Sequence, residues 1–347
     1  MKSTLVAALC VLGLCFQSAC VASSVPPPRA TLQAVPGDVR GIVFSPDGHR
    51  LAVSTGQLVK IWEWESNNGA GKVIQTIQGG LGAAFSSDGT TLALPGQNEA
   101  YSDGLVIWGI DDNKKRFFIP DDNVQSPVFT ADGKSIAAAV GNRVKVWKLP
   151  SCEEGLPMKD GHKCSINAIA FGAGGKTLIS GDGKGVLSRW ELPETGPVKK
   201  GEYKYLTDDV SINSLACSLD GNWVVASTGD GNILLLDAGT LALKAQIKAH
   251  KDGLRVKSVA ISPDNKTIAA ACSGIEDLEI KLFDIDTHKS LAAFIGHQSG
   301  VNCVAFSPDG KWLATGSDDK TAKVWDVAAL RILNLPKPEK KKEAPKE

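Results

Sequence analysis

Histidine, aspartate and cysteine are the residue types in this chain that could bind a metal or act in catalysis. The five histidines lie far apart, and three of them precede the same repeated apolar pattern: His49, His162, His250, His288 and His297, of which the second, third and fifth belong to the pattern. Such spacing does not gather ligands around one ion. No GxSxG, HExxH or P-loop sequence is present. We therefore predict no catalytic residue, no metal site and no cofactor.

Six aspartates recur in short polar turns, and a ring of carboxylates could in principle bind calcium. Each of them is followed by Gly or Asn in its own repeat: Asp47, Asp88, Asp132, Asp220, Asp264 and Asp309. In such turns Asp hydrogen-bonds to its own backbone and Gly takes positive φ. Turn formation is sufficient to explain these residues.

Five cysteines follow residue 22: Cys152, Cys164, Cys217, Cys272 and Cys303. The last three lie in apolar runs and are interpreted as small buried side chains. Cys152 and Cys164 flank one short segment, and a disulfide between them is conceivable in an exported chain. A regular strand between them would instead hold them too far apart to bond.

The elements that carry these residues are set by an internal repeat. An apolar residue just before a turn, here called the anchor, recurs at steps of 41, 44, 42, 46, 44 and 45 residues. After each anchor come a turn, a second apolar run, a second turn, a third run that ends in a large side chain, and a fourth, looser run. The seven anchors are Phe44, Phe85, Phe129, Phe171, Cys217, Ile261 and Phe306.

Four short apolar runs per unit, with tight turns and no helical period, indicate an all-β repeat. A flat array of such sheets would leave open edges, and closing it into a ring removes them. The pattern predicts a seven-bladed β-propeller of four-stranded antiparallel blades over residues 30–334.

The last unit carries a family resemblance. It contains Gly296-His297, the turn SPDG at 307–310, and Trp325-Asp326 at the end of its third run. On these motifs the chain resembles a WD40-repeat protein over about residues 30 to 334. The resemblance implies a structural chain of hydrogen bonds within the blade, formed by His297, Thr315 or Ser317, Asp319 and Trp325. Other units keep only parts of the motif.

Ring closure has two candidate strands. Residues 292–306 align without gaps on residues 30–44, so residues 30–35 correspond to a fourth strand with no unit before it. We expect this segment to complete the last blade beside Val324. The segment 330–335 is the alternative.

The residue four positions before each anchor is polar in six of seven units and is Leu81 in the second. These residues begin the innermost strands and should ring one mouth of the central channel. In WD40 proteins this face is the usual docking surface for peptides and proteins. The alternative is that the polar groups only hydrate the channel and cap loops. The candidate partner-binding residues are Arg40, Gln125, Asn167, Asn213, Lys257 and Asn302.

One connection is enlarged, from Pro95 to Gly104, and contains Tyr101. Exposed Tyr is a common binding anchor on loops. We nevertheless favour a plain insertion as the explanation of this segment.

The first 22 residues have the layout of a secretory signal peptide, with Lys2, an apolar run from Leu5 to Phe16, and then small residues. We expect cleavage after Ala22. Residues 17–20 also resemble a bacterial lipobox, which would place a lipid on Cys20. A hydrophobic N-terminal helix is a third interpretation. Residues 23–29 form a proline-rich spacer, and the predicted location is extracytoplasmic.

The chain has equal numbers of acidic and basic residues, which gives no general attraction to nucleic acid. Residues 335–347 are lysine-, glutamate- and proline-rich and should be disordered. The leading functional hypothesis is a non-catalytic, monomeric scaffold that binds a protein or peptide at the channel mouth. The alternative is a propeller enzyme or small-ligand binder that uses the central channel.

Overall fold

The computed structural model describes residues 25–33, 37–97, 103–155, 161–193, 197–205, 210–250, 254–272, 274 and 278–333. The predicted signal peptide with Cys20, the predicted tail and Tyr101 lie outside these residues, so the expectations about them remain predictions.

The described residues form seven four-stranded antiparallel sheets, which confirms the predicted all-β, seven-bladed propeller. Blade 1 consists of β2 (Gly41–Phe44), β3 (Arg50–Ser54), β4 (Leu58–Glu63) and β5 (Lys72–Gln78). Blade 2 consists of β6 (Ala84–Phe85), β7 (Thr91–Gln97), β8 (Asp103–Gly109) and β9 (Lys114–Pro120). Blade 3 consists of β10 (Val124–Phe129), β11 (Ser135–Val140), β12 (Arg143–Lys148) and β13 (Glu153–Glu154).

The remaining blades are more uniform. Blade 4 consists of β14 (Ile166–Phe171), β15 (Thr177–Asp182), β16 (Val186–Glu191) and β17 (Val198–Lys204). Blade 5 consists of β18 (Ile212–Cys217), β19 (Trp223–Thr228), β20 (Asn232–Asp237) and β21 (Leu243–Lys248). Blade 6 consists of β22 (Val256–Ile261), β23 (Thr267–Cys272), β24 (Glu279–Asp284) and β25 (Ser290–Ile295).

Blade 7 combines the two ends of the described chain. Its strands are β26 (Val301–Phe306), β27 (Trp312–Ser317), β28 (Thr321–Asp326) and, outermost, β1 (Ala30–Gln33). Ala30 pairs with Val324, as the gapless alignment predicted. The alternative segment instead begins in a short helix, α1 (Val327–Ile332).

Each anchor is the last residue of an innermost strand, and neighbouring innermost strands contact one another around the ring. Hydrophobic clusters lie between successive sheets, because each blade buries its two faces against its neighbours. Two 3₁₀ turns, Asn67–Gly69 and Ala173–Gly175, complete the regular elements of the described residues.

The Asp-Gly turns share one arrangement of hydrogen bonds. The hydroxyl of Ser45 donates to Asp47 over 2.5 Å, and the backbone N–H of His49 donates to the same carboxylate over 3.0 Å. The hydroxyl of Ser307 and Asp309 repeat the first bond at 2.6 Å. These aspartates are therefore held by turn bonds inside their own blades.

Candidate partner-binding face

The propeller has two faces, at opposite ends of its innermost strands. The mouth face is defined here by the residues at which the innermost strands begin, together with the turns between second and third strands. The turn face is the opposite one, where the Asp-Gly turns lie. The six predicted partner-binding residues all belong to the mouth face, because Arg40 immediately precedes an innermost strand and each of the other five is the second residue of one.

The three asparagines of the set connect neighbouring blades. The side-chain amide of Asn167 donates to the carbonyl of Ile212 at 2.9 Å, and that of Asn213 donates to the carbonyl of Val256 at 3.0 Å. Asn302 donates to the carbonyl of Val39 at 3.0 Å. In every case the acceptor precedes the corresponding position of the next blade, so these amides already have a structural use.

Arg40 lies at the joint between blades 7 and 1. Its guanidinium is 2.8 Å from the carboxylate of Asp38 and 3.7 Å from that of Asp318. Asp318 also accepts a 2.6 Å hydrogen bond from Asn302. The Arg40 side chain is 43% exposed, so it contributes to the surface while it helps to close the ring.

Gln125 and Lys257 differ from the other four. Neither side chain forms a hydrogen bond or ion pair within the described part of the chain. Gln125 is exposed and Lys257 is partly exposed. Their polar groups therefore face solvent and can bind another molecule without breaking an internal bond.

Serines one position further along the innermost strands also link blades. The hydroxyl of Ser214 accepts from the N–H of Val259 at 3.3 Å, and Ser258 accepts from Val304 at 3.2 Å. Ser126 donates to the carbonyl of Asn167 at 3.1 Å. Their hydroxyls add a second set of inter-blade bonds.

A cleft of about 780 Å³ opens between the mouth-face ends of blades 1, 2 and 3. Gln125 lines it, as do Leu81, Pro95 and Val124. Leu81 is 52% exposed, a high value for a large apolar side chain. The neighbouring amide side chains are Gln57, Gln78, Gln97 and Asn123. This cleft was not predicted from the sequence.

Blade 7 contains the chain of hydrogen bonds that the resemblance implied. Trp325 Nε1 donates to Thr315 Oγ1 at 2.9 Å, Thr315 donates to His297 Nε2 at 2.7 Å, and His297 Nδ1 donates to Asp319 at 2.9 Å. Thr315, and not Ser317, is the hydroxyl member. The His297 side chain is completely buried, so its role is structural.

Blade 4 has the same arrangement, of which the sequence showed only two members. Trp190 Nε1 donates to Ser180 Oγ at 2.9 Å, Ser180 donates to His162 Nε2 at 2.7 Å, and His162 Nδ1 donates to Asp182 at 2.9 Å. Asp182 was missed because it lies two positions closer to its anchor than Asp319 does. Ser180 has the same spacing from its anchor as Thr315, and that spacing was the signal that could have located it.

Blade 5 has a comparable network in which a tyrosine replaces the histidine of blades 4 and 7. Asp230, at the same distance from its anchor as Asp319, accepts a 3.1 Å bond from the hydroxyl of Tyr205. That hydroxyl accepts in turn from Asn232 at 3.2 Å and from Gln246 at 3.0 Å. Burial, followed by the Asp230 carboxylate, raises the pKa of Tyr205 to about 12. The shared spacing of Asp230 was the signal that could have located this network.

His297 and Asp319 of blade 7 each affect the pKa of the other. Burial lowers the pKa of His297, and the bond to Asp319 offsets only part of that effect. Burial works to raise the pKa of Asp319, but the hydrogen bonds from His297, Thr321 and the Gln298 N–H hold it well below its usual value. A neutral imidazole beside a carboxylate is therefore the stable state.

Two further features bear on function. Among the described residues, no group of three His, Cys, Asp or Glu side chains is arranged to hold a metal ion. None of the helices formed by these residues is both long and apolar enough to cross a membrane.

Cys152 and Cys164 are free thiols and are not joined in a disulfide. Burial raises the thiol pKa of both Cys217 and Cys303 to about 12. A thiol with such a pKa is not a nucleophile near neutral pH, because the thiolate is the reactive form.

The repeat, the ring of seven blades and the buried Trp–Thr–His–Asp chain together define a class of propeller. The family model of the WD domain, G-beta repeat, matches residues 27–63, 155–191, 203–237, 242–284 and 288–326, which is more than half of the chain. The protein therefore belongs to the WD40 family.

Several curated proteins are similar to this chain. The serine-threonine kinase receptor-associated protein of Gallus gallus is 27% identical over 213 residues, which is 61% of this chain and 57% of that protein. The target of rapamycin complex subunit wat1 of Schizosaccharomyces pombe is 45% identical over 85 residues, 24% of this chain and 26% of that protein. Eukaryotic translation initiation factor 3 subunit I of Drosophila grimshawi is 23% identical over 315 residues, 84% of this chain and 88% of that protein.

The chain spans less than two thirds of the length of the first two of these relatives. Their names describe a receptor-associated protein and two subunits of larger complexes. Association with other proteins is thus what the three names have in common.

Proposed function

We propose that this protein is a non-catalytic interaction scaffold that binds a protein or peptide partner on its mouth face. The observation that carries the proposal is the contrast within the ring of polar residues. Four of the six side chains are bonded within the propeller, whereas Gln125 and Lys257 present unused polar groups on the same face. The cleft beside Gln125 adds a concave surface to that face.

The names of the relatives support the same conclusion, because each describes a protein that associates with others. A propeller also suits the task physically. Binding groups held on a rigid scaffold lose little conformational freedom when a partner docks. We therefore propose Gln125 and Lys257 as the main partner-binding residues of the predicted set, with Arg40 at its margin and the three asparagines as their support.

Crosslinking and co-purification from the native cells test this proposal. The wild type is compared with a Gln125→Ala, Lys257→Ala double variant that has the same unfolding midpoint. The matched control is Lys134→Ala, Lys266→Ala, which changes two exposed side chains on the turn face. A partner captured by the wild type and the control, but lost from the double variant, is the expected result.

A partner that all three proteins capture equally would place the binding site elsewhere on the propeller. A bound small molecule in the purified protein, with no protein partner, would favour the alternative of a small-ligand binder. The volume of the cleft is in the range typical of small-molecule sites, which makes that comparison informative.

We further propose that the chain is exported, with cleavage after Ala22 as the expected processing and a lipid on Cys20 as the alternative. The apolar run and the small residues before position 22 support this. Intact mass spectrometry of the protein from its native source tests it. A mature chain that begins at residue 23 is expected, a lipid mass at Cys20 would identify the alternative, and an intact N-terminus would refute export.

A further inference from the structure

One position of the repeat holds a buried apolar side chain in six of the seven blades and has no side chain in blade 2. The residue five positions before the anchor is a β-branched apolar side chain with at most 7% exposure in six blades: Val39, Val124, Ile166, Ile212, Val256 and Val301. In blade 2 the same position is Gly80. A side chain that closes the mouth-face end of every other blade is therefore absent here.

The innermost strand of blade 2 is shortened at the same place. It contains only Ala84–Phe85, whereas the innermost strands of blades 3 to 7 have six residues. Gly82, at φ +82°, turns the chain away from the strand direction. The backbone is still held, because the N–H of Gly80 donates to the carbonyl of Pro95 at 2.6 Å.

Pro95 fits this arrangement. It lies in β7 at a position where regular pairing with the innermost strand would require a backbone N–H donor, and proline has no N–H. The cleft of about 780 Å³ lies over this gap and is lined by Gly79, Gly80 and Pro95. The vacancy is thus continuous with the mouth face and open to solvent.

The vacancy can accept a side chain. A Cβ built on Gly80 would lie 3.4 Å from the Cβ of Pro95 and 3.6 Å from its carbonyl oxygen, which are ordinary contacts. Leu81 does not fill the gap, because it leans toward the turn of blade 1, where its Cδ2 would lie 3.4 Å from a Cβ on Gly56. The neighbouring wall is Val124, itself the buried apolar residue of blade 3.

The charge of the cleft restricts what can enter it. Its two ionisable lining residues, Asp103 and Lys115, have opposite charges, and Asp103 already accepts a 2.9 Å hydrogen bond from Gln97. The other polar lining side chains are uncharged amides. A charged side chain would lose hydration here without finding an excess of the opposite charge. The complementary occupant is therefore uncharged.

We propose that the cleft receives one bulky apolar side chain from an extended, uncharged peptide segment of the partner. That side chain packs beside Gly80 and Pro95, where blade 2 lacks the Val or Ile side chain of the other six blades. The surrounding amides of Gln57, Gln78 and Gln125 hydrogen-bond to the peptide backbone. This assignment rests on the proposed function, since it specifies what the mouth face recognises.

Panning of a phage-displayed random heptapeptide library against the full chain tests the assignment. Enriched peptides are then synthesised and their Kd is measured by fluorescence polarisation. We expect them to share one Leu, Ile, Phe or Trp flanked by uncharged residues. Gly80→Val fills the vacancy and should weaken binding by about tenfold or more, because the apolar contact is lost.

Leu81→Ser is the second variant, since an exposed residue can be changed without loss of the fold. It should weaken binding about three- to tenfold through loss of one apolar wall. Leu219→Ser is its matched control, because Leu219 is 71% exposed in a turn-face turn of blade 5. The control should bind as the wild type does.

Three outcomes would overturn the assignment: no enriched peptide, enriched peptides defined by charge, or peptides that Gly80→Val binds as tightly as the wild type. If peptides that Gly80→Val still binds tightly are lost from a Lys257→Ala variant, whose residue does not line the cleft, the mouth face binds partners without using this cleft. The proposed function then stands while the assignment falls.

Discussion

Four tryptophans near the ends of the third strands are of two kinds. In blades 4 and 7 the indole N–H of Trp190 or Trp325 donates to a buried hydroxyl. In blades 1 and 2 the indole N–H of Trp62 or Trp108 has no acceptor among the described residues. The same residue type therefore contributes a hydrogen bond in one pair of blades and only apolar packing in the other.

Replacing these tryptophans with phenylalanine should separate the two contributions. We expect Trp325→Phe to destabilise the protein by about 1–2 kcal/mol more than Trp62→Phe, because only the former loses a hydrogen bond. Urea unfolding of both variants, followed by tryptophan fluorescence and by circular dichroism, measures the difference. Equal losses would mean that the Thr315 bond contributes nothing to stability.

The stability of the protein should fall as the pH is lowered below about 6.5. His297 has a pKa below its ordinary value when folded, so the unfolded chain binds a proton that the folded chain does not. Stability is then lost between the unfolded pKa and the lowered folded pKa, by at most about 1.4 kcal/mol per pH unit for this one group. Protonation of Asp319, whose pKa is also lowered, adds a further loss only at more acidic pH.

Unfolding midpoints between pH 7.5 and 5.5 measure this dependence. His297→Asn should be less stable than the wild type at pH 7.5 and should also show a shallower loss toward pH 5.5. A variant with the same pH slope as the wild type would show that His297 is not the group responsible.

The strand that closes the ring buries two side chains, Ala30 and Leu32, of which Leu32 is the larger. Leu32 of β1 is fully buried and belongs to the cluster that also contains Trp62 and Val324. Leu32→Ala should cost about 2–4 kcal/mol, as expected for a large-to-small change in a packed core. Thr31→Ala, in the same strand but only partly buried, should change the free energy of unfolding by about 0.5 kcal/mol or less.

Thermal unfolding of both variants, compared with the wild type, tests the closure. The contradicting outcome is a Leu32→Ala midpoint equal to that of Thr31→Ala. Closure would then depend mainly on α1, whose Leu330 is also fully buried.

The order of strands could be predicted because the turns and apolar runs repeat, and the register of β1 followed from a gapless alignment. The shortened innermost strand of blade 2 could not be predicted in the same way. Its sequence, Gly79 to Ala83, keeps the spacing of the repeat while losing the side chains that make it a strand. The position of Gly80 relative to its anchor was visible, but only the structure shows that, apart from its chain neighbours, Pro95 is the nearest described residue to a Cβ built at Gly80.

The same limit applied to the mouth-face residues. The sequence placed six polar side chains around one opening, and the structure shows that they differ in what they bond to. An asparagine amide that reaches the carbonyl of the next blade looks, in sequence, the same as one that faces solvent. The repeat spacing predicts the position of such a residue. Its hydrogen-bond partner depends on how the neighbouring blade is oriented relative to its own.

The ring is held by bonds between blades as well as by apolar packing. Asn213→Ala should cost about 1 kcal/mol, because it removes the bond to Val256 and leaves a carbonyl unpaired. Lys257→Ala, at the equivalent position of the next blade, should change stability by about 0.5 kcal/mol or less. Chemical denaturation of the two variants compares them directly, and a larger loss in Lys257→Ala would contradict the assigned roles.

The contribution of β1 to blade 7 also has a consequence for biosynthesis. Residues 30–33 leave the ribosome long before residues 321–324, with which they pair in the folded blade. During all of that interval the early segment has an unpaired edge, of the kind that promotes aggregation. Completion of the native ring therefore waits until the last blade has been synthesised.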